Sequence, residues 1–324
     1  MLLPSVSATG IVCSASYREH TTGAWHPESP ARVDAVVQGL ERAGWLRQCQ
    51  ILPPRPATDR ELLLCHTPQY LQRVQDDILA GRDQLSTGDT AIGPHSERTA
   101  RLAVGGVLVA VEAVMEKRVR NAFAVVRPPG HHASATRGMG FCIYNNVAIA
   151  ARQLQAVHGL ERVLIVDWDV HHGNGTQDIF WRDPSVLFFS SHQAPFYPGS
   201  GVRLEQGEGA GEGFTRNCPL PAGTSGRQLV AVWREELLPL AEAFSPDFVL
   251  ISAGFDSRLG DPLGDFRLED EDFTALTELM LAIAAEHAEG RLVSALEGGY
   301  ALAGLASASA AHVAALLGVG ASGA

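Results

Sequence analysis

The sequence predicts an α/β protein built on a single parallel β-sheet flanked by helices on both faces. Short β-branched, apolar runs alternate with longer segments that carry apolar residues at helical spacing. The clearest strand candidate, Val163–Val166, is too short for a helix and is apolar throughout, as buried parallel strands are. No linker, composition shift or internal repeat interrupts the pattern, so we expect a single domain over residues 1–324.

The elements follow in order along the chain. Ser29 is a candidate cap for the first helix, which would bury Val33, Val36 and Leu40. Turn-forming residues predict loops at Gly81–Pro94 and Pro198–Pro221. The strands are expected at Thr9–Cys13, Ala122–Val126, Val163–Val166, Val186–Ser190, Phe248–Ser252 and Leu292–Leu296. The helices are expected at Pro30–Ala43, Leu62–Ala80 with a break at Thr67-Pro68, Ser96–Val114, Cys142–Val157, Leu229–Ala243, Leu268–Glu289 and Ala301–Leu317, with a further helix start near Thr176.

Composition excludes several classes of protein. With 46% hydrophobic and 19% charged residues the chain is an ordinary globular one, and its net charge of −11 argues against nucleic-acid binding but suits cationic substrates. The five cysteines are scattered, which predicts neither a disulfide framework nor a zinc knuckle. Met1–Gly10 lacks the features of a signal peptide, and no apolar run is long enough to span a membrane. We therefore expect a cytoplasmic protein with no membrane partner.

The stretch that follows Val163–Val166 concentrates residues that bind metals. Asp167, Asp169 and His171 occupy every second position, and alternate side chains of an extended chain share one face. Two carboxylates that close together require a cation or a proton donor. The simpler interpretation is a strand end with solvated polar residues.

Polar residues also follow three other predicted strands, at His131-His132, Asp256 and Tyr300. Sites in parallel sheets lie beyond the carboxyl ends of the strands, so the fold would collect these residues on one edge. Asp169, His171 and Asp256 would then form a three-ligand metal set with a position left for water, as catalytic zinc requires. Oxygen and nitrogen ligands also suit Fe²⁺, Co²⁺ or Mn²⁺. A turn or helix cap is the alternative for Asp256.

The remaining polar residues have chemical roles that fit such a metal. The adjacent histidines would supply a base for water and a second proton donor, although histidine pairs are usually surface residues. Asp167 could fix the tautomer of a histidine. Tyr300 could donate its hydroxyl to a developing oxyanion, with a buried structural tyrosine as the alternative.

These residues lie in motifs that resemble the zinc-dependent histone deacetylase family, which includes bacterial histone-deacetylase-like amidohydrolases and acetylpolyamine amidohydrolases. The resemblance extends from His26-Pro-Glu to Tyr300 and implies the arginase/deacetylase fold. Arg-Pro-Pro-Gly and Asn174 resemble the class II branch. The motifs are Arg127-Pro-Pro-Gly-His-His-Ala133, Gly138-Met-Gly-Phe-Cys-Ile-Tyr-Asn-Asn146, Asp167-Trp-Asp-Val-His-His-Gly-Asn-Gly-Thr-Gln177, Tyr197-Pro-Gly-Ser-Gly201, Gly254-Phe-Asp256 and Glu297-Gly-Gly-Tyr300.

The resemblance implies a role for each matching residue. Asp169, His171 and Asp256 would bind Zn²⁺, and Tyr300 would polarise the acyl carbonyl. His132, paired with Asn174, would be the general base and acid, whereas His131, held by Asp167, would supply charge. A tunnel for an acyl-lysine-like chain would be lined by Gly140, Phe141 and Tyr197, the last being a position where relatives often carry phenylalanine, with Arg32 deeper, near an acetate exit.

The resemblance also implies two potassium sites. The first would match Asp167, Asp169, His171, Ser190 and Ser191, and the second would match Phe180, Asp183, Val186 and Phe214.

The expected partner is an acyl-lysine peptide or a small N-acyl amine, and a homo-oligomer is a further expectation. In polyamine-selective relatives the position matching Leu263 is a glutamate that pairs with an ammonium, so leucine favours acyl-lysine-type substrates. An acetylpolyamine amidohydrolase is the alternative. A binuclear manganese ureohydrolase would need further ligands beside Asp256, which Ser257 and Arg258 do not supply. An inactive acyl-ligand binder is the third hypothesis.

Overall fold

The computed structural model describes residues 9–319, in which eight strands form one sheet. The strands are β1 (Thr9–Val12), β2 (Gln50–Leu52), β3 (Asn121–Ala124), β4 (Val163–Asp167), β5 (Val186–Gln193), β6 (Thr215–Leu220), β7 (Phe248–Ala253) and β8 (Leu292–Leu296). Their order across the sheet is β2-β1-β3-β8-β7-β4-β5-β6, and all neighbours run parallel. The predicted single parallel sheet is confirmed.

Helices cover the sheet. The central strands β3, β4, β7 and β8 are buried at every position, so both of their faces are covered. The helices are α1 (Ala31–Arg42), α2 (Asp59–Leu62), α3 (Pro68–Leu79), α4 (Ser96–Met115), α5 (Asn146–His158), α6 (Asn174–Phe180), α7 (Gly226–Val232), α8 (Leu238–Phe244), α9 (Asp270–His287) and α10 (Leu302–Leu317), with a π-helical turn at Trp233–Leu237 between α7 and α8. One group packs α4 on α5, and a second packs α10 on α1 and α9.

The prediction that Pro198–Pro221 is entirely loop is wrong, because its last residues form β6. Within the described residues this strand lies at the edge of the sheet and pairs only with β5, from Phe188↔Thr215 to Gln193↔Leu220. Part of β6 is only half-buried, and it contains Pro219. An edge strand with one neighbour tolerates proline and polar residues, so its sequence resembles that of a loop. The three-residue edge strand β2 and the single-turn helix α2 are also not predicted by the sequence pattern.

Several predicted boundaries shift. Helix α5 begins at Asn146 rather than Cys142, because the carbonyls of Cys142 and Ile143 accept hydrogen bonds from the Thr90 and Tyr70 hydroxyls. The Asn145 side chain caps this helix by accepting from the Ala148 amide at 3.0 Å. The predicted cap of the first helix is also wrong, since Pro30 occupies that position and no side chain caps it.

Within residues 9–319, no helix combines the length and apolar character needed to cross a membrane. The interpretation of Met1–Gly10 as lacking a signal peptide falls mainly on residues 1–8, which lie outside the described part of the chain.

Candidate active site

The carboxyl ends of four adjacent strands supply the polar residues of one buried site. Strands β3, β8, β7 and β4 lie side by side, so the segments that follow them emerge along the same edge of the sheet. Asp167 is the last residue of β4, Asp256 follows β7, Glu297 follows β8, and His131 lies in the segment after β3. All four of these side chains are buried. The adjacency of these parallel strands thus brings together residues that are far apart in sequence.

Asp169, His171 and Asp256 form the candidate metal centre. One ligand atom from each lies within 4.8 Å of the other two. His171 Nδ1 is 2.9 Å from Asp169 Oδ1 and 3.2 Å from Asp256 Oδ2. The assumption of an extended chain through these residues is wrong, because β4 ends at Asp167 and residues 168–173 form an irregular turn. The turn nevertheless brings the predicted ligands together.

The hydrogen bonding around this cluster fits a metal ion. The Val170 amide donates to Asp256 Oδ1 at 2.9 Å, and the Gly298 amide donates to Asp169 Oδ2 at 2.8 Å, so the backbone fixes both carboxylates. Among the described residues, buried Asp256 Oδ2 accepts no hydrogen bond, since the nearby His171 Nδ1 has at most one proton and lies closer to Asp169. A buried oxygen without a donor requires another electropositive partner, which a cation would supply.

The pKa shifts within the cluster also fit a bound cation. Burial and then the charge of Asp169 raise the pKa of Asp256 to about 7. Burial by itself would lower the pKa of His171, but its contacts with the two carboxylates raise it to about 10. The site therefore disfavours two bare carboxylates and favours positive charge between them.

The two adjacent histidines contact different partners. His131 Nδ1 lies 2.9 Å from Asp167 Oδ2, and His132 Nδ1 lies 2.7 Å from Asn174 Oδ1. Burial opposes a charge on both rings, but the Asp167 and Asp169 carboxylates raise the pKa of His131 well above its ordinary value. The pKa of His132 is lowered well below its ordinary value by burial and then by the positive charges of His131 and His171. The structure thus separates a cationic from a neutral imidazole.

Glu297 fixes the backbone that presents the histidines. Its Oε2 accepts hydrogen bonds from the Gly130 amide at 2.6 Å and the His131 amide at 3.1 Å. Burial raises the pKa of this carboxyl to about 7 despite the His131 charge beside it. The sequence indicates Glu297 only as part of a motif, because its hydrogen bonds to the amides of residues 130 and 131 cross about half of the chain.

A cavity of about 310 Å³ opens over the candidate metal centre. The predicted tunnel residues Gly140, Phe141 and Tyr197 line it together with Leu263, and His132, His171 and Tyr300 also face it. Gly140 has a positive φ of 55°, and a Cβ atom there would overlap the His132 ring, so this wall requires glycine. Asp89, Phe196 and Pro262 complete the lining. Pro262 belongs to Asp261-Pro-Leu-Gly264, which the resemblance places near the mouth of the tunnel, whereas Asp89 in the predicted loop Gly81–Pro94 and Phe196 beside the Tyr197 motif carry no signal of their own.

Arg32 lies behind Tyr300 rather than in this cavity. Its guanidinium carbon is 4.8 Å from the centre of the Tyr300 ring, its Nε donates to the Gly299 carbonyl at 2.7 Å, and Glu28 pairs with it at 2.9 Å. Asp261 Oδ2 accepts a hydrogen bond from the Tyr300 amide at 2.6 Å. Burial raises the pKa of Tyr300 well above its ordinary value, so its hydroxyl is a proton donor across the neutral pH range.

The residues expected to bind potassium have other contacts in the structure. Ser190 Oγ pairs with His192 Nδ1 at 3.0 Å, and Ser191 Oγ accepts from Trp233 Nε1 at 2.8 Å. Of the second set, Phe180 and Phe214 accept backbone hydrogen bonds, Val186 pairs with Val163 in the sheet, and the Asp183 carboxylate binds Arg152 and Ser185. Potassium binding stays a prediction.

Comparison with known proteins identifies close relatives. The histone deacetylase domain matches residues 26–316. A probable deacetylase of Archaeoglobus fulgidus is 40% identical over 91% of this chain and 82% of its own length. The polyamine deacetylase HDAC10 of Homo sapiens is 42% identical over 90% of this chain and 44% of its own length. Histone deacetylase 5 of Arabidopsis thaliana is 40% identical, and the chain covers 49% of it. The chain therefore spans about half the length of these two eukaryotic relatives.

A solved structure resembles the fold over almost its whole extent. The crystal structure of the HDA15 HD domain superposes with a TM-score of 0.91 at 38% identity, covering 96% of this chain and 90% of that one.

Proposed function

The chain belongs to the histone deacetylase family of enzymes, and we propose that it hydrolyses an N-acyl amine such as acyl-lysine. The observation that carries this proposal is that His132, His171 and Tyr300 face the same cavity of about 310 Å³. A neutral base, a metal ligand and a hydroxyl donor around one narrow space suit the cleavage of an amide bond.

Asp169, His171 and Asp256 would hold one zinc ion. When bound, zinc would supply a Lewis acid that polarises an acyl carbonyl and acidifies a water molecule. The donor set and the buried oxygen of Asp256 without a hydrogen bond support this choice of ligands.

The protein groups would divide the proton transfers. The Asn174 carbonyl oxygen can only accept, so His132 Nδ1 carries the proton of their hydrogen bond and Nε2 is free to act as a base. His132 would take a proton from water and later deliver it to the leaving amine. The His131 imidazolium, held by Asp167, would stabilise negative charge that develops nearby, and the Tyr300 hydroxyl would donate to the oxygen of the former carbonyl.

Acyl-lysine is the substrate type that the cavity favours over an acetylpolyamine. Leu263 lines the cavity and offers no charge to a distant ammonium. Asp89 places a carboxylate at the rim, but its two oxygens accept from the Gly140 amide and the Tyr197 hydroxyl. The relatives do not discriminate, since proteins named polyamine deacetylase and histone deacetylase are similar to this chain at about equal identity.

Metal content tests the proposal. In Asp256→Ala, bound zinc per chain and deacetylation of an acetyl-lysine peptide should both fall to a small fraction of the wild-type values, because only three protein ligands hold the ion. Elemental analysis and a peptide assay measure these two quantities. Asp76→Ala removes an exposed carboxylate on α3 and should change neither. Full metal content and turnover in Asp256→Ala would refute the ligand assignment, and two transition metals per wild-type chain would favour the ureohydrolase hypothesis.

A further inference from the structure

Asp89 connects two walls of the candidate active-site cavity at its rim. Asp89 Oδ1 accepts from the Gly140 amide at 2.7 Å, next to Phe141 in one wall. Asp89 Oδ2 accepts from the Tyr197 hydroxyl at 2.9 Å, and Tyr197 lines the cavity elsewhere, with its ring edge-on to His132 at 5.3 Å. Asp89 and Tyr197 are both partly exposed to solvent, so this bridge lies at the entrance rather than in the depth of the cavity.

In this bridge the Tyr197 hydroxyl and the Gly140 amide are the donors and the Asp89 carboxylate is the acceptor. Burial and then the hydrogen bond to Asp89 raise the pKa of Tyr197 far above neutral pH, so the phenol keeps its proton and donates it. A carboxylate that accepts one bond on each oxygen, from groups on different segments, has its plane fixed between them. The Gly140 amide belongs to a backbone with positive φ at both Gly140 and Phe141, so this wall is held in an uncommon conformation.

The hydroxyl of Tyr197 is the component of the bridge that a phenylalanine would lack. A phenylalanine ring would keep the aromatic wall and its edge-on contact with His132, but it would leave Asp89 attached to Gly140 alone. The segment around Tyr197 would then be free to move away from the segment around Asp89. The ring and the hydroxyl therefore have separable effects.

We propose that Tyr197 and Asp89 form a brace that sets the width of the cavity entrance and selects substrates whose amine-side stem is slender and unbranched. Tyr197 is a positioning residue in this proposal, because its hydroxyl acts through Asp89. The proposal rests on the deacylase function proposed above and adds a physical basis for its substrate selectivity.

Two peptides that differ only in the stem next to the amide test the brace. One carries N-acetyl-lysine, and the other carries N-acetyl-4-aminomethyl-phenylalanine, whose ring is wider than a methylene chain. Wild type should favour the lysine peptide in kcat/KM. Tyr197→Phe should reduce that preference about fivefold, the size expected for loss of one hydrogen bond. The change should appear mainly as a lower KM for the wide peptide, because the bonds to the reacting atoms stay intact.

A double-mutant cycle separates the brace from a general weakening of the fold. If the hydroxyl acts through Asp89, then Asp89→Ala should lower the same preference, and Tyr197→Phe added to Asp89→Ala should change it no further. Tyr17→Phe removes a tyrosine hydroxyl that bonds the Leu102 carbonyl away from the cavity, and it should leave the preference unchanged. Thermal melting of each variant accompanies the kinetics.

The outcomes distinguish the two proposals. An unchanged stem preference in Tyr197→Phe, or additive effects of the two substitutions, would overturn the brace while leaving the deacylase function in place. A wild-type chain that hydrolyses neither peptide would overturn the proposed function and the brace together.

Discussion

His131 and His132 are adjacent in the sequence, but their partners make them chemically different. His131 faces the carboxylate of Asp167, which stabilises an imidazolium, whereas His132 faces the neutral amide of Asn174. The opposite directions of their pKa shifts follow from these contacts together with burial. A single side chain thus obtains its role from its hydrogen-bond partner rather than from its residue type.

His132→Ala should therefore lower kcat more than His131→Ala does. The first removes the proposed base, while the second removes a charge that acts at longer range. Steady-state kinetics of both variants at neutral pH, with metal content measured on the same samples, check this order. Equal losses, or a greater loss in His131→Ala, would contradict the division of roles.

Tyr300→Phe should lower kcat about 10²–10³-fold with a much smaller change in KM, because an oxyanion donor acts chiefly in the transition state. The ring would still pack against Arg32, so only the hydroxyl is tested. Tyr144→Phe serves as the matched control, since the buried Tyr144 hydroxyl has no hydrogen-bond partner among the described residues. Near-normal kcat in Tyr300→Phe would refute the proposed role.

At the scale of elements, the candidate site consists mainly of segments that follow strands, with Asp167 contributed by the last position of β4. The backbone of these segments orients the carboxylates of the candidate metal centre, as the hydrogen bonds from the Val170 and Gly298 amides show. A Cβ atom at Gly298 would overlap the carboxylate of Asp256, so the chain requires glycine where it passes the candidate metal centre. The sequences of such connecting segments tolerate more change than the sequence of the sheet does. We therefore expect them to carry the residues that determine substrate selectivity.

The segment between β7 and α9 provides a test of substrate class. Leu263→Glu should shift the ratio of kcat/KM values toward acetylspermidine and away from an acetyl-lysine peptide, because a glutamate at the cavity wall would pair with a distant ammonium. Leu263→Gln adds similar bulk without charge and should shift the ratio less. A wild-type preference for acetylspermidine of about tenfold, or ~1.4 kcal/mol, would contradict the assignment of acyl-lysine.

For the whole molecule, the core contains uncharged histidines as well as apolar residues. His312 on α10 is fully buried, with Nδ1 2.7 Å from the Thr277 hydroxyl of α9 and Nε2 2.7 Å from the Ser294 hydroxyl of β8. Burial lowers its pKa from 6.5 to about 3, and burial likewise lowers the pKa of His20 and His66 to about 4. Two helices and a strand are thus joined through a group that must stay neutral.

Acid should consequently weaken the fold. The folded pKa of His312 lies below the unfolded value, so the unfolded chain binds the proton first and stability is lost as the pH falls from about 6.5 toward 3. One such histidine lowers the free energy of unfolding by about 2 kcal/mol when the pH falls from 7.5 to 5. Urea unfolding at both pH values measures this loss. The decrease in the free energy of unfolding from pH 7.5 to pH 5 should be smaller in His312→Gln than in wild type by about this amount. Exposed His95→Gln should resemble wild type, and a pH dependence of His312→Gln equal to that of wild type would contradict the explanation.

The sequence by itself determined the class of fold and predicted the residues of the candidate metal centre, which the structure brings together. Alternating apolar strands and amphipathic helices leave few arrangements other than a covered parallel sheet, because each strand carries its own signal of burial. Asp169, His171 and Asp256 were recognisable because the carboxyl ends of parallel strands converge. These inferences depend on local patterns and on a topological rule that needs no coordinates.

Only the tertiary structure decided the features that depend on partners distant in sequence. Strand β6 was hidden because an edge strand obtains its order from pairing with β5 rather than from its own composition. The bond between Asp89 and Tyr197 joins residues 108 positions apart, and no pattern near either residue indicates it. The resemblance implies that Arg32 lies deeper than the tunnel, but its contact with the face of the Tyr300 ring follows from packing. A hydrogen bond forms only when its two groups are close in space, and the local sequence does not predict which distant residues approach each other.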